Sequence, residues 1–127
     1  MKLSLRVLNG VFSIAQMPPG SLTPTWLKGN ELFASISTPD EVSIVCDQSF
    51  VPENVIAEKG WKAIMIQGPL DFSLVGVMAE LSQVLAVAGI SIFALSTYNT
   101  DYVLVRENDL DSAVTALRRS GFTITGD

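Results

Sequence analysis

Two short stretches gather the side chains with which this chain can hold a small dipolar molecule. The first is Gln67-Gly68-Pro69-Leu70-Asp71-Phe72, a turn shaped by glycine and proline ahead of an amphipathic segment. The second is Thr97-Tyr98-Asn99-Thr100-Asp101, a polar tip between two apolar runs. A ligand carrying both a carboxylate and an ammonium needs amide donors for one and oxygen acceptors for the other. A turn that leads into a helix N-terminus presents unpaired amides under a favourable dipole, so Gly68 to Phe72 reads as the donor side. Asp71 and Asp101 read as the acceptors. Each residue also has a plainer role: Asp71 as a helix cap, Gly68 and Pro69 as turn formers, Gly76 as a point of close approach between helix and sheet, Thr97 to Asn99 as a solvated hairpin tip. Asp101, placed just before a strand, is the one that capping explains least.

Other chemistries are narrowed by what the chain lacks. It has no histidine, which removes the Ser-His and Cys-His nucleophile pairs and the commonest metal ligand. Cys46 is the only cysteine, so neither an intramolecular disulfide nor a cysteine zinc site can form, and it reads as a small buried apolar side chain. No Gly-x-Ser-x-Gly, phosphate loop or metal-ligand spacing occurs. Asp71 with Asp101 remains as a minor carboxylate-pair reading; a non-enzymatic role without cofactor or metal is expected. A net charge of −5 and only 8 Lys and Arg, spread along the chain, argue against nucleic acid and anionic membranes.

The elements that would position these residues follow from periodicity. An apolar strand from Trp61 precedes the first stretch, and Leu74, Met78, Leu81, Leu85 and Ala88 then share one helix face. Ile90 to Thr97 and Tyr102 to Arg106 read as strands, followed by a helix with Leu110, Ala113, Val114 and Leu117 on one face and a closing strand at Phe122 to Ile124. The order is strand, helix, strand, strand, helix, strand, with both helices on one face of a sheet. Asp71 or Ser73 is expected to cap the first helix and Gly89 to end it; Asn108 with Asp111 resembles a capping box, and Gly121 stops the second helix after Arg118 and Arg119.

The first half is less sharply written. Lys2 to Leu8 alternates as a strand should, and Asn9-Gly10 with Val11 to Ala15 after it reads as a tight hairpin. Met17-Pro18-Pro19-Gly20 stops pairing, Ser21 to Lys28 holds at most a helical turn, and Glu31 to Ser37 and Glu41 to Cys46 form two strands joined by Thr38-Pro39-Asp40. Asp47 to Gly60 reads as a short helix or loop. Trp26, Trp61 and Phe93 read as core. The N-terminus fails as a signal peptide because Arg6, Asn9 and Gly10 interrupt its apolar run, and Val84 to Ile90 is too short to span a bilayer. A cytoplasmic protein is expected. With 48% hydrophobic residues and a mean hydropathy of +0.39, the chain has apolar surface enough for a dense core and for a homo-oligomer.

The runs Gly68-Pro69-Leu70-Asp71-Phe72-Ser73-Leu74-Val75-Gly76, Ala88-Gly89-Ile90-Ser91-Ile92-Phe93-Ala94-Leu95-Ser96-Thr97 and Thr100-Asp101-Tyr102-Val103-Leu104-Val105 resemble the ACT domain family. The branch they resemble is that of small stand-alone bacterial ACT proteins related to the cytosolic arginine sensors of animals. The resemblance implies an α+β fold of tandem ferredoxin-like (βαββαβ) units, antiparallel sheets with helices on one face. Residues 1–60 would be a degenerate ACT-like half, and 61–127 an ACT domain. It further implies a ligand, usually an amino acid, held by Asp71, Phe72, Ser73, Leu74, Val75 and Gly76 together with Thr97, Tyr98 and Asp101. Where the arginine sensors carry an acidic position this chain has Leu74, which argues against arginine. The sensors carry four ACT units and this chain at most two, so a homodimer is implied. The resulting expectation is an amino-acid-binding regulatory or sensor protein that acts through dimer geometry on a regulated protein partner. The alternative is a structural dimerisation domain without a working ligand site.

Overall fold

The computed structural model describes residues 4–29, 31–67 and 76–126. In chain order it holds β1 (Ser4–Val7), β2 (Phe12–Met17), β3 (Ala34–Ser37), β4 (Val42–Asp47), β5 (Ile56–Ile66), α1 (Val77–Val87), β6 (Ile92–Ser96), β7 (Asp101–Arg106), α2 (Leu110–Arg119) and β8 (Thr123–Gly126). Short 3-10 turns lie at Gln48–Phe50 and Glu107–Asp109. The chain divides into two compact units, Met1–Asn9 with Lys62–Asp127 and Gly10–Trp61, and the strand β5 gives residues to each.

The discontinuous unit runs β5, α1, β6, β7, α2, β8, the order expected from periodicity and the ferredoxin-like α+β order that the resemblance implies, with strands in the order β6-β7-β5-β1-β8. One strand is additional. β1 lies between β5 and β8, antiparallel to the first with Leu5 opposite Ile66, and parallel to the second with Leu5 opposite Ile124, so the sheet is mixed. This corrects the expected hairpin at Asn9-Gly10: β1 pairs with β5 and β8 and not with β2. An Asn-Gly pair permits a tight turn, but the register of a strand is set by where its apolar side chains find cover. Leu5 and Val7 find it here, at 0% and 2% exposure.

Residues two apart on a strand share a face, and the set that faces inward is Leu5, Val7, Ile64, Ile66, Val103, Val105 and Ile124. Leu81 and Leu85 of α1 and Ala113 and Leu117 of α2 pack into the same cluster, with Met78, Leu110 and Val114 at its margin. Both helices therefore cover one face. Burial of each such aliphatic side chain is worth roughly 1.5–3 kcal/mol. Both helices end in the same way: left-handed Gly89 lets the Ile90 amide reach the Leu85 carbonyl (3.0 Å), and left-handed Gly121 lets the Phe122 amide reach Leu117 (3.1 Å).

Their starts differ from expectation. α1 begins at Val77, with Gly76 at its N-cap in the left-handed region (φ 86°), while the proposed caps Asp71 and Ser73 lie outside the described residues. Among the described residues a Cβ at Gly76 would meet nothing within 4 Å, and the left-handed angle is one that glycine adopts without strain. The capping box of Asn108 and Asp111 does not form; Asp109 holds the N-cap without a side-chain bond, because the 3-10 turn before it already delivers the backbone into the helix.

The unit Gly10–Trp61 orders its strands β3-β4-β2-β5, all antiparallel. Its described residues include no α-helix. Ala15, Val42, Ile44, Cys46 and Val51 form its core, and Trp26, Leu27 and Val55 pack on them. The turn at Thr38-Pro39-Asp40 is closed by the Thr38 hydroxyl, which accepts from the amides of Asp40 (3.1 Å) and Glu41 (3.2 Å). The expected helical turn after Ser21 is a single turn in which the Leu27 amide donates to Pro24 (3.2 Å). The stretch read as helix or loop up to Gly60 instead contains the start of β5. Phe12 stands opposite Trp61 but Ile14 opposite Glu58, so Lys59-Gly60 carries an extra residue, a β-bulge whose glycine has φ 82° and donates its amide to Gln48 Oε1 (3.0 Å).

Candidate functional site

The hairpin tip is built first by its strands. β6 and β7 pair antiparallel up to Ser96 opposite Asp101, and the four residues between them close on themselves. The Thr97 amide donates to the Thr100 carbonyl at 2.8 Å, and the Thr97 hydroxyl accepts from the Thr100 amide at 3.3 Å. Thr100 is the anchor. It is only 7% exposed, and its hydroxyl donates to the carbonyl of Ile66, the last residue of β5. A polar side chain buried to this degree is stable only when bonded, and its partner sits where the chain leaves the sheet towards residues 68–75.

Asp101 lies at the edge of the helix-covered face. Its Oδ1 accepts from the Ser96 hydroxyl across the strand pair (2.5 Å), and among the described residues Oδ2 takes no partner. Ser96 thus holds one carboxylate oxygen of Asp101 in orientation. Tyr98, at 83% exposure, projects from the crest of the tip.

Of the residues expected at a site, the structure brings Thr97 and Asp101 together through Thr100, and Tyr98 rides on the same turn. Gly76 stands at the start of α1, and no hydrogen bond among the described residues joins it to the tip. The remaining candidates, Gly68, Leu70, Asp71, Phe72, Ser73, Leu74 and Val75, lie outside the described residues. The amides that a helix start leaves without intrahelical acceptors therefore belong to the first turn after Gly76, further along the chain than the Gly68 to Phe72 turn. Thr100 and Ser96 were not singled out from sequence as positioning groups. The available signal was a Ser and a Thr flanking the acidic residue at the mouth of a hairpin, which recurs in ordinary turns.

Two further chemistries can be judged on this geometry. Among the described residues no group of three or more His, Cys, Asp or Glu is placed to hold a metal ion. Burial pushes the Cys46 thiol up from its ordinary value, the neighbouring Asp47 charge adds to this, and a backbone bond at Lys28 opposes it. A thiol so placed is a packing residue and a poor nucleophile at neutral pH.

Comparison with known proteins adds to this geometry. A family model described as ACT domain matches residues 56–119, and a second model, of an N-terminal domain, matches residues 10–54. The cytosolic arginine sensor for mTORC1 subunit 1 of Homo sapiens is 34% identical over 86 residues, 61% of this chain. The match spans 26% of the length of that sensor. A crystal structure of an Agobacterium tumefaciens protein, 32% identical, superposes with a TM-score of 0.93 over 100% of this chain and 95% of that one. The regulatory subunit of aspartate kinase from Thermus thermophilus shares the fold at 11% identity, with a TM-score of 0.65 over 95% of this chain and 99% of that one.

Proposed function

Because the chain belongs to the ACT domain family, we propose that its discontinuous unit is a receptor for an amino acid and serves a regulatory or sensing role. The observation that carries this reading is the bond from Thr100 to Ile66, which fixes the Thr97 to Asp101 tip at the exit of β5, next to the start of the segment that leads to α1. Asp101 Oδ2 then receives the ammonium, and the first-turn amides after Gly76 with the Gly68 to Val75 segment receive the carboxylate. The name of the human relative, a cytosolic arginine sensor, supports the same class of ligand and a cytoplasmic setting. Leu74 in place of an acidic residue favours an amino acid without a cationic side chain.

A ligand held between two copies favours the arrangement of those copies that binds it better, and the regulated partner reads that arrangement; the coupling equals the difference in affinity. In this scheme 61–127, with β1 laid into its sheet, is the ligand-bearing ACT unit, and the remainder of residues 1–60 is the degenerate ACT-like half. No catalytic step is proposed. No helix among the described residues is long and apolar enough to cross a membrane.

The test is a thermal-shift screen against the standard amino acids, with light scattering for oligomeric state. A selective ligand at about 100 times its dissociation constant stabilises the native state by about 2.7 kcal/mol. Asp101→Ala should abolish that rise. An unchanged response in the variant would place the ligand elsewhere. The alternative, a dimerisation domain without a ligand, is favoured by the exposed apolar side chains Phe33, Ile36 and Ile56; a flat screen on a constant dimer would select it.

A further inference from the structure

The seam where α2 meets β1 and β8 holds a second candidate, independent of the tip. A cavity of about 340 Å³ lies there, on residues that the proposed receptor site does not use. Its floor is apolar, made by Val7, Leu110, Val114 and Ile124. Its wall is polar: Asp111, Thr115 and Arg118 line it at spacings of four and three residues, which places them along one face of α2. Gly126 closes one end, in the left-handed region at φ 81°, where a Cβ would stand 2.5 Å from the Val7 carbonyl oxygen. That end of the cavity is therefore shaped by backbone against backbone.

The two charges in the wall are not equivalent. Arg118 is fixed, since its Nη2 donates to the Ile124 carbonyl at 3.0 Å, and this uses one of the five donors that a guanidinium carries. The side chains of Asp111 and Thr115 make no hydrogen bond or ion pair among the described residues. The plain account is that Asp111 in the first turn and Arg118 in the last complement the helix dipole from a solvated face. It explains the two signs of charge. It does not explain why both residues border an apolar hollow, or why the cation is pinned to a strand carbonyl at its edge.

We propose that this seam binds a small molecule with an anionic and a cationic end joined by an apolar chain, the carboxylate on Arg118, the ammonium on Asp111 and the methylenes over Val114 and Ile124. The length follows from helix geometry. Seven residues of helix rise about 10 Å, so the ends of the ligand must be several carbons apart. The two charges of a simple α-amino acid sit on one carbon and cannot reach both residues. An ω-amino acid, or a basic amino acid bound through its side-chain cation, can.

The experiment titrates the full chain with ε-aminocaproate and with caproate, which lacks the cationic end, and follows backbone amide resonances. Saturable shifts by ε-aminocaproate are expected in α2 and β8, with the Thr97 to Asp101 tip unmoved. Asp111→Asn, an exposed change that leaves packing intact, should weaken ε-aminocaproate about tenfold and caproate not at all, as loss of one charge-assisted contact requires. Thr115→Trp, which fills the hollow from an exposed position, should abolish both. Asp101→Ala should alter neither, so that failure here and failure of the receptor site are read separately. An absence of saturable shifts in the folded wild-type chain overturns the proposal, as does equal weakening of both probes by Asp111→Asn.

Discussion

The two units solve the same problem, covering an apolar sheet face, with different means. In the discontinuous unit two amphipathic helices do it, and the side chains beneath them, Leu5, Ile64, Ile66, Leu81, Leu85 and Leu117, are all at 0% exposure. In Gly10–Trp61 the cover comes from irregular chain, Trp26 and Leu27 on one turn and Val51 and Val55 after the Gln48–Phe50 turn. The consequence is visible at the surface. Among the described residues, Leu22, Phe33, Ile36, Phe50 and Ile56 of that unit are exposed large hydrophobics, as are Val87 and Tyr98 in the helical one. A helix brings a whole stripe of side chains into a core with its backbone already hydrogen-bonded, whereas a loop must satisfy its polar groups one at a time and can press only a few apolar residues inward.

The strongest way to break this contrast is to remove a side chain that a helix buries. Leu117→Ala leaves a cavity between α2 and the sheet, and should lower stability by about 2–5 kcal/mol. The loss is read on the helical circular-dichroism signal in denaturant, because both described α-helices belong to this unit. A change below about 0.5 kcal/mol would mean that α2 does not carry the core of its unit.

In the other unit the comparable lever is backbone rather than packing. Gly60 makes the bulge that turns β5 past β2, with φ 82° and open space around an added Cβ. Gly60→Ala therefore isolates the cost of the left-handed angle, about 1–2 kcal/mol, with no steric contribution. Tryptophan emission reports it, since Trp26 and Trp61, the only two tryptophans, both lie in this unit. A neutral substitution would show that the bulge relaxes into regular pairing.

Much of this was legible in the sequence, and the failures have a common cause. Periodicity placed Met78, Leu81 and Leu85 of α1 and the core face of α2, although Ala88, expected on the same face of α1, is exposed and Leu74 lies outside the described residues; Gly89 and Gly121 marked helix ends, because each signal is local and its partner is within one turn. Thr38-Pro39-Asp40 was readable for the same reason. Asn9-Gly10 misled because a turn dipeptide states that the chain can reverse, not which strand it will join; β1 joins β5 and β8, both distant in sequence. The bulge at Gly60 was hidden because an extra residue in a ladder shows only against its partner strand. At the candidate site, Asp101 and Thr97 could be named from residue type, while the anchoring bond from Thr100 to Ile66 required the sheet order. The α2 seam was missed because Asp111 and Arg118 on a helix surface look like ordinary dipole partners until the hollow beside them is seen.

The smallest effect tests the surface side of the contrast. Ile56 is 72% exposed at the start of β5, opposite Gln16 of β2 and in line with Ser43 and Ile36 across the sheet. Its side chain already meets water in the free chain, so Ile56→Ser should change folding stability by no more than about 0.5 kcal/mol in dilute solution. The outcome depends on concentration if the row is used for assembly. An apolar side chain that becomes covered when two copies meet contributes to association and not to folding of one copy, so the same substitution would then lower the oligomer fraction seen by light scattering while leaving dilute unfolding curves superimposable. A loss of stability in dilute protein, with unchanged scattering, would instead show that Ile56 is held by its own unit, and that loop cover reaches further over this sheet than its exposure indicates.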